Sequence, residues 1–214
     1  MRKDRESAIV AIMPTFCNAP FYGFEIIYNG DVQCCCGDWL PTPIGNIFKS
    51  SANEIWNGEI AQAIRRSILD ETYSFCTRCP FVPRPESNVK RPSVVLDKIP
   101  SLRLCYDNTC NLACPSCRKQ IAKVDSDQVK RVHEAMLASG VLDMSVQVHA
   151  SGSGDPFASP TYYKFFQSLH AVAPHLQIAL FTNGQLMDEH HLDGLGGVHQ
   201  SDRRGVDLSG CFYG

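Results

Sequence analysis

Apolar and polar residues alternate over Ser101-Leu-Arg-Leu-Cys-Tyr106, Ser145-Val-Gln-Val-His-Ala150 and Gln177 to Thr182, the two-residue period that predicts β-strands. Between these stretches the period lengthens. From Ser126, which reads as an N-cap, Val129, Val132, Met136 and Leu137 fall on one helical face, and Gly140 is placed to end the helix. A second helix opens at Ser159-Pro160, a cap followed by proline at the first helical position, and carries Phe166, Leu169 and Val172 up to Pro174. The turn dipeptide Asn183-Gly184 closes the third strand. Strand, helix, strand, helix, strand predicts an α/β fold with a parallel sheet and crossover helices.

The N-terminal part follows another pattern. Asn29-Gly30 predicts a hairpin turn, Ser51-Ala-Asn-Glu54 is a capping-box sequence, and Ile60, Ile64 and Ile68 recur every fourth residue after Ile55-Trp56-Asn-Gly58. Between the two parts, Pro80 to Pro92 holds four prolines in 13 residues, which denies both helix and central strand and reads as an extended linker. The expected division is a cysteine-rich module over 1–85, a Pro-rich linker over 86–100 and an α/β core over 101–214.

Composition changes this picture in one respect. The 214 residues are 44% hydrophobic, and 20 basic against 22 acidic side chains leave a net charge of −2, so the charge balance points neither to nucleic acid nor to an anionic membrane surface. Ala8 to Met13 is too short for a signal peptide's apolar region, and no stretch is long enough to span a bilayer. The expected compartment is therefore the cytoplasm, where thiols stay reduced. That gives the 11 cysteines, at 17, 34–36, 76, 79, 105, 110, 114, 117 and 211, a reading as metal ligands or reactive groups in place of disulfides. Cys105 reads as a buried strand thiol, Cys211 as incidental, and the seven histidines as surface residues without ligand spacing.

Cys110-Asn-Leu-Ala-Cys114-Pro-Ser-Cys117 sets three thiols directly after the first core strand, at the edge where ligands bind in parallel α/β folds. Three is one short of a closed tetrahedral site. Bound to a four-iron cluster, three thiolates leave one iron open for an exogenous ligand.

The spacing Cys110-x-x-x-Cys114-x-x-Cys117 after a first strand resembles the cluster loop of the radical S-adenosylmethionine (radical SAM) enzymes. Ser153-Gly154-Asp155-Pro156 after the second strand is similar to that family's Gly-Gly-Glu-Pro loop, and Thr182-Asn183-Gly184 to its Thr-Asn-Gly after the third, with Ser116 standing where an aromatic is common and Asp155 where glutamate is. The resemblance implies a partial (βα) barrel of about three to four units and a [4Fe–4S] cluster on Cys110, Cys114 and Cys117. It implies S-adenosylmethionine bound by Ser153, Gly154, Asp155, Pro156 and Asn183, and reductive cleavage of that cofactor to a radical that abstracts hydrogen from a substrate such as a peptide or another macromolecule. An electron donor such as flavodoxin or ferredoxin is implied as partner.

The N-terminal pattern of Cys17, a Cys run after Gly30-Asp31, Ile44-Gly-Asn-Ile47, Ile55-Trp-Asn-Gly58 and Cys76-x-x-Cys79 resembles the SPASM or twitch auxiliary module of such enzymes. That resemblance implies a second [4Fe–4S] cluster held by Cys17, one of Cys34 to Cys36, Cys76 and Cys79, with the pattern favouring Cys35 or Cys36. In most relatives the module follows the barrel, whereas here it precedes it. Four thiolates suit tetrahedral zinc as well as iron, so zinc stays open for residues 17–79. Read singly, the glycine loop and the Asn-Gly turn are also ordinary βα turns. Finally, residues 101–214 have room for about three and a half of the roughly 31-residue βα units. The expectation is a truncated core with an exposed third-strand edge, and a non-catalytic iron–sulfur or zinc-binding fragment is the alternative to an active enzyme.

Overall fold

A computed structural model describes residues 17–76, 79–80, 92–115, 117–122, 124–150, 154–189 and 206–210. The centre of the Pro-rich segment, Ser116, Ser153, His190-His191 and Cys211 lie outside the described residues. The fold is mixed α/β. Its single sheet runs in the order β3 (Gly45–Asn46), β2 (Asp31–Gln33), β1 (Gly23–Ile27), β4 (Ile99–Cys105), β5 (Ser145–Ala150), β6 (Gln177–Thr182) and β7 (Val206–Gly210). Strands β1, β4, β5, β6 and β7 pair in parallel, and β2 and β3 pair antiparallel at the other end.

The β1–β2 hairpin closes through a three-residue loop. The amide of Gly30 donates to the Ile27 carbonyl at 2.9 Å, and Gly30 itself has φ of +82°, a left-handed conformation that glycine enters without strain. Helix α1 (Ala52–Trp56) carries the complete capping box. The Ser51 amide donates to Glu54 Oε2 at 2.8 Å while Ser51 Oγ accepts from the Glu54 amide, and these bonds hold the Glu54 carboxyl below its usual range. In α2 (Glu59–Leu69), Ile64 and Ile68 are buried, whereas Ile60 is exposed and the buried face includes Ala61 and Arg65 instead.

Several expectations in the second half are corrected, among them Val172, which lies off the buried face of Phe165, Phe166 and Leu169 and is exposed. The cap of α3 (Ser126–Ala138) is Asp125, whose carboxylate accepts from the amides of Asp127 and Gln128; Ser126 is the first helical residue. Leu137 lies off the buried face formed by Val129, Val132 and Met136 and is exposed. The edge of β6 is covered, because β7 pairs with it over Ile178 to Thr182. The short helix α4 (Val141–Met144) begins after Gly140, whose φ of +77° ends α3 as expected. Helix α5 (Pro160–Val172) starts as the sequence indicates, with Ser159 Oγ accepting from the Tyr162 amide at 3.0 Å.

Register divides the sheet into two unlike faces. Phe24, Ile26, Leu102, Leu104, Val148, Ala150 and Leu180 are buried in one core cluster with residues of α1, α2, α3 and α5. The alternate residues Glu25, Arg103, Gln147 and His149 are half-buried or exposed. The helices that contribute to the core cluster pack on the first of these faces. The strand β1 lies beside β4 with five paired positions, so both cysteine-rich stretches belong to the same sheet. Trp56 reinforces this join, with Nε1 donating to the Lys98 carbonyl at 3.0 Å and its ring edge-on to Phe24. No helix among the described residues is long and apolar enough to cross a membrane.

Candidate metal centres

The first group of thiols lies on the antiparallel end of the sheet. Cys17 precedes a turn of 3₁₀ helix at Ala19–Phe21, and Cys34 to Cys36 follow β2 directly. Cys76 is carried by a tight turn in which the Thr72 and Tyr73 amides both donate to the Ser67 carbonyl and the Cys76 amide to the Tyr73 carbonyl. Glu71 and Tyr73 hold φ of +59° and +47° in this turn. A bulky residue in that region stores of order 1–3 kcal/mol, which the surrounding structure must over-determine.

The run of three cysteines divides by burial. Cys34 is 2% exposed and faces the core, Cys36 is exposed, and Cys35 is half-buried between them. Cys35 is also the member of the run tied to the distant thiols: Cys17 and Cys79 oppose its ionisation, and Cys17, Cys35 and Cys79 oppose that of Cys76. Burial first, and then these neighbours, push the Cys35 and Cys76 thiols up to about 11, while burial pushes Cys34 up to about 12. Four clustered thiols of this kind ionise together only when a cation takes up their charge. Among the described residues no group of three or more His, Cys, Asp or Glu side chains is arranged to hold a metal ion, so the four thiols are neighbours and not a closed cage. A cavity of about 360 Å³, lined in part by Cys35, Cys36, Trp39, Glu25 and Arg103, opens beside them. There Glu25 stands 3.8 Å from Arg103, and burial raises its carboxyl pKa against the opposing effect of the arginine.

On α2, Arg65 is fully buried. Its Nε donates to the Pro20 carbonyl at 2.9 Å, Nη1 donates to those of Trp56 and Val94, and the guanidinium lies 4.0 Å over the Trp56 ring. Nη2 is buried without a hydrogen-bond partner. A set of four cysteine thiols suits an anionic metal–thiolate centre. The fit rests on the chemistry of that donor set.

The second group follows β4. Asp107, 3% exposed, organises the start of the loop: Oδ1 accepts from the amide and hydroxyl of Thr109, and Oδ2 from Ser159 Oγ at 2.6 Å. Its own amide donates to the Tyr162 hydroxyl, which donates to the Leu104 carbonyl. Cys110 is half-buried and Cys114 and Cys117 are exposed. Three donors approach the sulfurs: the Leu112 amide and Asn183 Nδ2 at Cys110 Sγ, at 3.5 and 3.8 Å, and Arg118 Nη2 at Cys117 Sγ, at 3.6 Å. Arg118 Nη1 also donates to the Asn108 carbonyl, pinning the returning end of the loop to its start.

The loop after β5 is locked against this one. A Cβ on Gly154 would lie 2.7 Å from the Thr109 carbonyl oxygen and 2.9 Å from that of Asp107, so only glycine permits the approach. Asp155, 1% exposed, receives the Phe157 amide on Oδ1, and on Oδ2 the Thr182 hydroxyl at 2.7 Å and the Asn183 amide at 2.9 Å. Its amide donates to the Thr109 carbonyl. Asn183 in turn donates to Asn111 Oδ1 at 2.9 Å. Asp155 thus bridges the loops after β4, β5 and β6 and brings Asn183 against Cys110. The sequence reading named Gly154, Asp155 and Asn183 but passed over Asp107, Thr109, Asn111 and Arg118. The polar run Asp107-Asn108-Thr109 between a strand and the first cysteine was the available signal.

No curated protein and no solved structure matches the chain. Residues 17–80, which carry Cys17, Cys34 to Cys36, Cys76 and Cys79, match the family model SPASM, described as an iron-sulfur cluster-binding domain.

Proposed function

We propose that the chain is a radical SAM enzyme of the SPASM type, with [4Fe–4S] clusters at both groups of thiols. Cys110, Cys114 and Cys117 hold the first, and Cys17, Cys35, Cys76 and Cys79 the auxiliary one. The observation that carries this reading is the convergence of the loops after β4, β5 and β6 on Cys110 through Asp155 and Asn183. The iron–sulfur domain match supports the auxiliary site. When bound, the three-thiol cluster and S-adenosylmethionine supply one-electron reduction of the sulfonium and hydrogen abstraction from a substrate, with flavodoxin or ferredoxin as the proposed donor.

The protein's own residues orient and tune. The Asn183 and Leu112 donors at Cys110 and the Arg118 donor at Cys117 draw electron density from the sulfurs, which favours the reduced state. Asp155 acts as a positioning residue, since its carboxylate is spent on protein donors and fixes the backbone of 154–156 and Asn183 beside the thiols. The open face of the sheet, with Glu25, Arg103, Gln147 and His149, is the surface proposed for a substrate, a peptide or other macromolecule being the class considered.

Anaerobic reconstitution with iron and sulfide analysis tests this directly. About eight irons per chain, with an electron paramagnetic resonance signal altered by S-adenosylmethionine, is expected. Substitution of Cys35 by serine is expected to remove about four of those irons, as Cys110→Ser does, whereas Cys34→Ser and Cys36→Ser leave the count unchanged. Zinc without sulfide at either group overturns the reading for that group.

A further inference from the structure

We propose that the cavity on the seam between β1 and β4 binds one uncharged residue of an extended peptide segment. Glu25 and Arg103 take its backbone N–H and C=O, and Trp39 and Tyr22 meet its side chain. The inference deepens the enzyme reading above and rests on it for the peptide's role as substrate.

The cavity lies where the two cysteine-rich parts of the chain meet. Gln33 on β2, Glu25 on β1 and Arg103 on β4 are directly paired positions, so they form one row across three strands, alternating with the core positions Phe24, Leu102 and Leu104. Tyr22 and Trp39 line the same cavity, and Gly23, two residues before Glu25, lines it without a side chain. Its volume of about 360 Å³ stands at the small end of the roughly 300–1,000 Å³ of ligand pockets, which suits a short segment. Of the four thiols assigned to the auxiliary centre, Cys35 is among the described lining residues and Cys17, Cys76 and Cys79 are not. The cavity therefore adjoins that centre and is not the centre itself.

Its recognition chemistry is unused. Arg103 Nη1 stands 3.8 Å from Glu25 Oε2, beyond hydrogen-bond reach, and neither side chain has another polar partner among the described residues. A guanidinium with donors only thus sits beside a carboxylate with acceptors only, the two 46% and 23% exposed. Arg103 is the one cation and Glu25 the one anion among the described lining residues, so the site is neutral as a whole. A phosphate, carboxylate or ammonium would find one partner and meet a like charge beside it. An uncharged group that donates and accepts along one edge satisfies both. In an extended chain the N–H and C=O of one residue point to the same side, as they do where paired residues of an antiparallel ladder exchange both bonds. The rings of Trp39 and Tyr22 favour an aromatic or large apolar side chain on that residue.

Equilibrium dialysis of the reconstituted full chain tests this with four forms of phenylalanine, each at up to about 10 mM: the doubly blocked N-acetyl N-methylamide, the anionic N-acetyl acid, the cationic N-methylamide and the zwitterion. The blocked form is expected to bind about tenfold or more tightly than each charged form, and N-acetylalanine N-methylamide to bind more weakly than its phenylalanine counterpart. Glu25→Gln and Arg103→Gln add a signature that a merely structural role would not produce. E25Q leaves the guanidinium unbalanced and shifts preference toward the N-acetyl acid, whereas R103Q leaves the carboxylate unbalanced and shifts it toward the cationic N-methylamide. Absence of binding, a preference of the native chain for a charged form, or an unchanged preference in both variants overturns the proposal. If either variant does not fold, Trp39→Ala replaces it; loss of the phenylalanine-over-alanine preference supports the site, and its retention overturns it. Iron and sulfide analysis of the same preparations judges the enzyme reading separately. Binding without clusters supports the site and removes the substrate role, and clusters without binding overturn the site alone.

Discussion

At Asp155 one carboxylate accepts from the amides of Phe157 and Asn183 and from the hydroxyl of Thr182, with almost none of its surface in solvent. In Asp155→Asn the amide nitrogen faces a donor whichever way it is turned. The expected loss is about 1–3 kcal/mol, read from urea midpoints, together with poorer cluster uptake at Cys110 because Asn183 is released. His133 offers a different test. Its Nδ1 lies 2.8 Å from the Tyr106 hydroxyl, its ring meets Phe165 edge-on, and burial holds its pKa below 6.5 with Glu134 opposing. With the folded value depressed, the unfolded chain protonates first, so stability is present above about 6.5 and falls as pH drops below it. Urea midpoints at about pH 7.5 and about pH 5.5 are expected to differ in the native chain and to converge in His133→Gln; a persistent difference in the variant would place the titration elsewhere. Histidine positions gave no warning of this, because a half-buried imidazole depends on a tyrosine 27 residues away. Cys35 was likewise indistinguishable from Cys36 by spacing, since only the fold decides which of two adjacent side chains turns inward.

The elements were more legible than their ends. Period and capping chemistry located α5, β5 and β6 because Ser159-Pro160 and Asn183-Gly184 act through local geometry that no distant residue overrides. At α3 two adjacent residues, Asp125 and Ser126, both have cap chemistry, and the selection of Asp125 reflects its two amide contacts. β7 was missed because a parallel edge strand owes its pairing to β6 and not to its own alternation. Two substitutions probe elements directly. Ser51→Ala removes the α1 cap and should lower stability by about 1 kcal/mol, measurable as a shifted thermal midpoint. Gly154→Ala sets a methyl against two backbone carbonyls and should cost about 1–3 kcal/mol, because the β4 and β5 loops must part. A G154A chain that keeps native stability and native iron content would show that the two loops are not in contact as described.

On the scale of the whole molecule, the composition shift at the prolines gave no sign that β1 pairs with β4. Strand pairing is non-local, and the apolar faces of Phe24 and Ile26 or Leu102 and Leu104 are equally compatible with two separate cores. Once paired, each of these side chains is fully buried, which contributes about 1.5–3 kcal/mol apiece. Asn57 adds a polar lock, with Oδ1 accepting from the Leu96 amide and Nδ2 donating to the Leu96 carbonyl. Residues 86–214 expressed alone would expose the apolar side of β4 together with its unpaired edge, which is a template for association. The fragment is expected to aggregate or to melt without cooperativity, while the full chain unfolds in one transition followed alike by circular dichroism and tryptophan fluorescence. A soluble fragment with its own sharp transition would mean that the sheet is two units laid side by side, and the thiols of residues 17–79 would then lose their fixed relation to the three-cysteine loop.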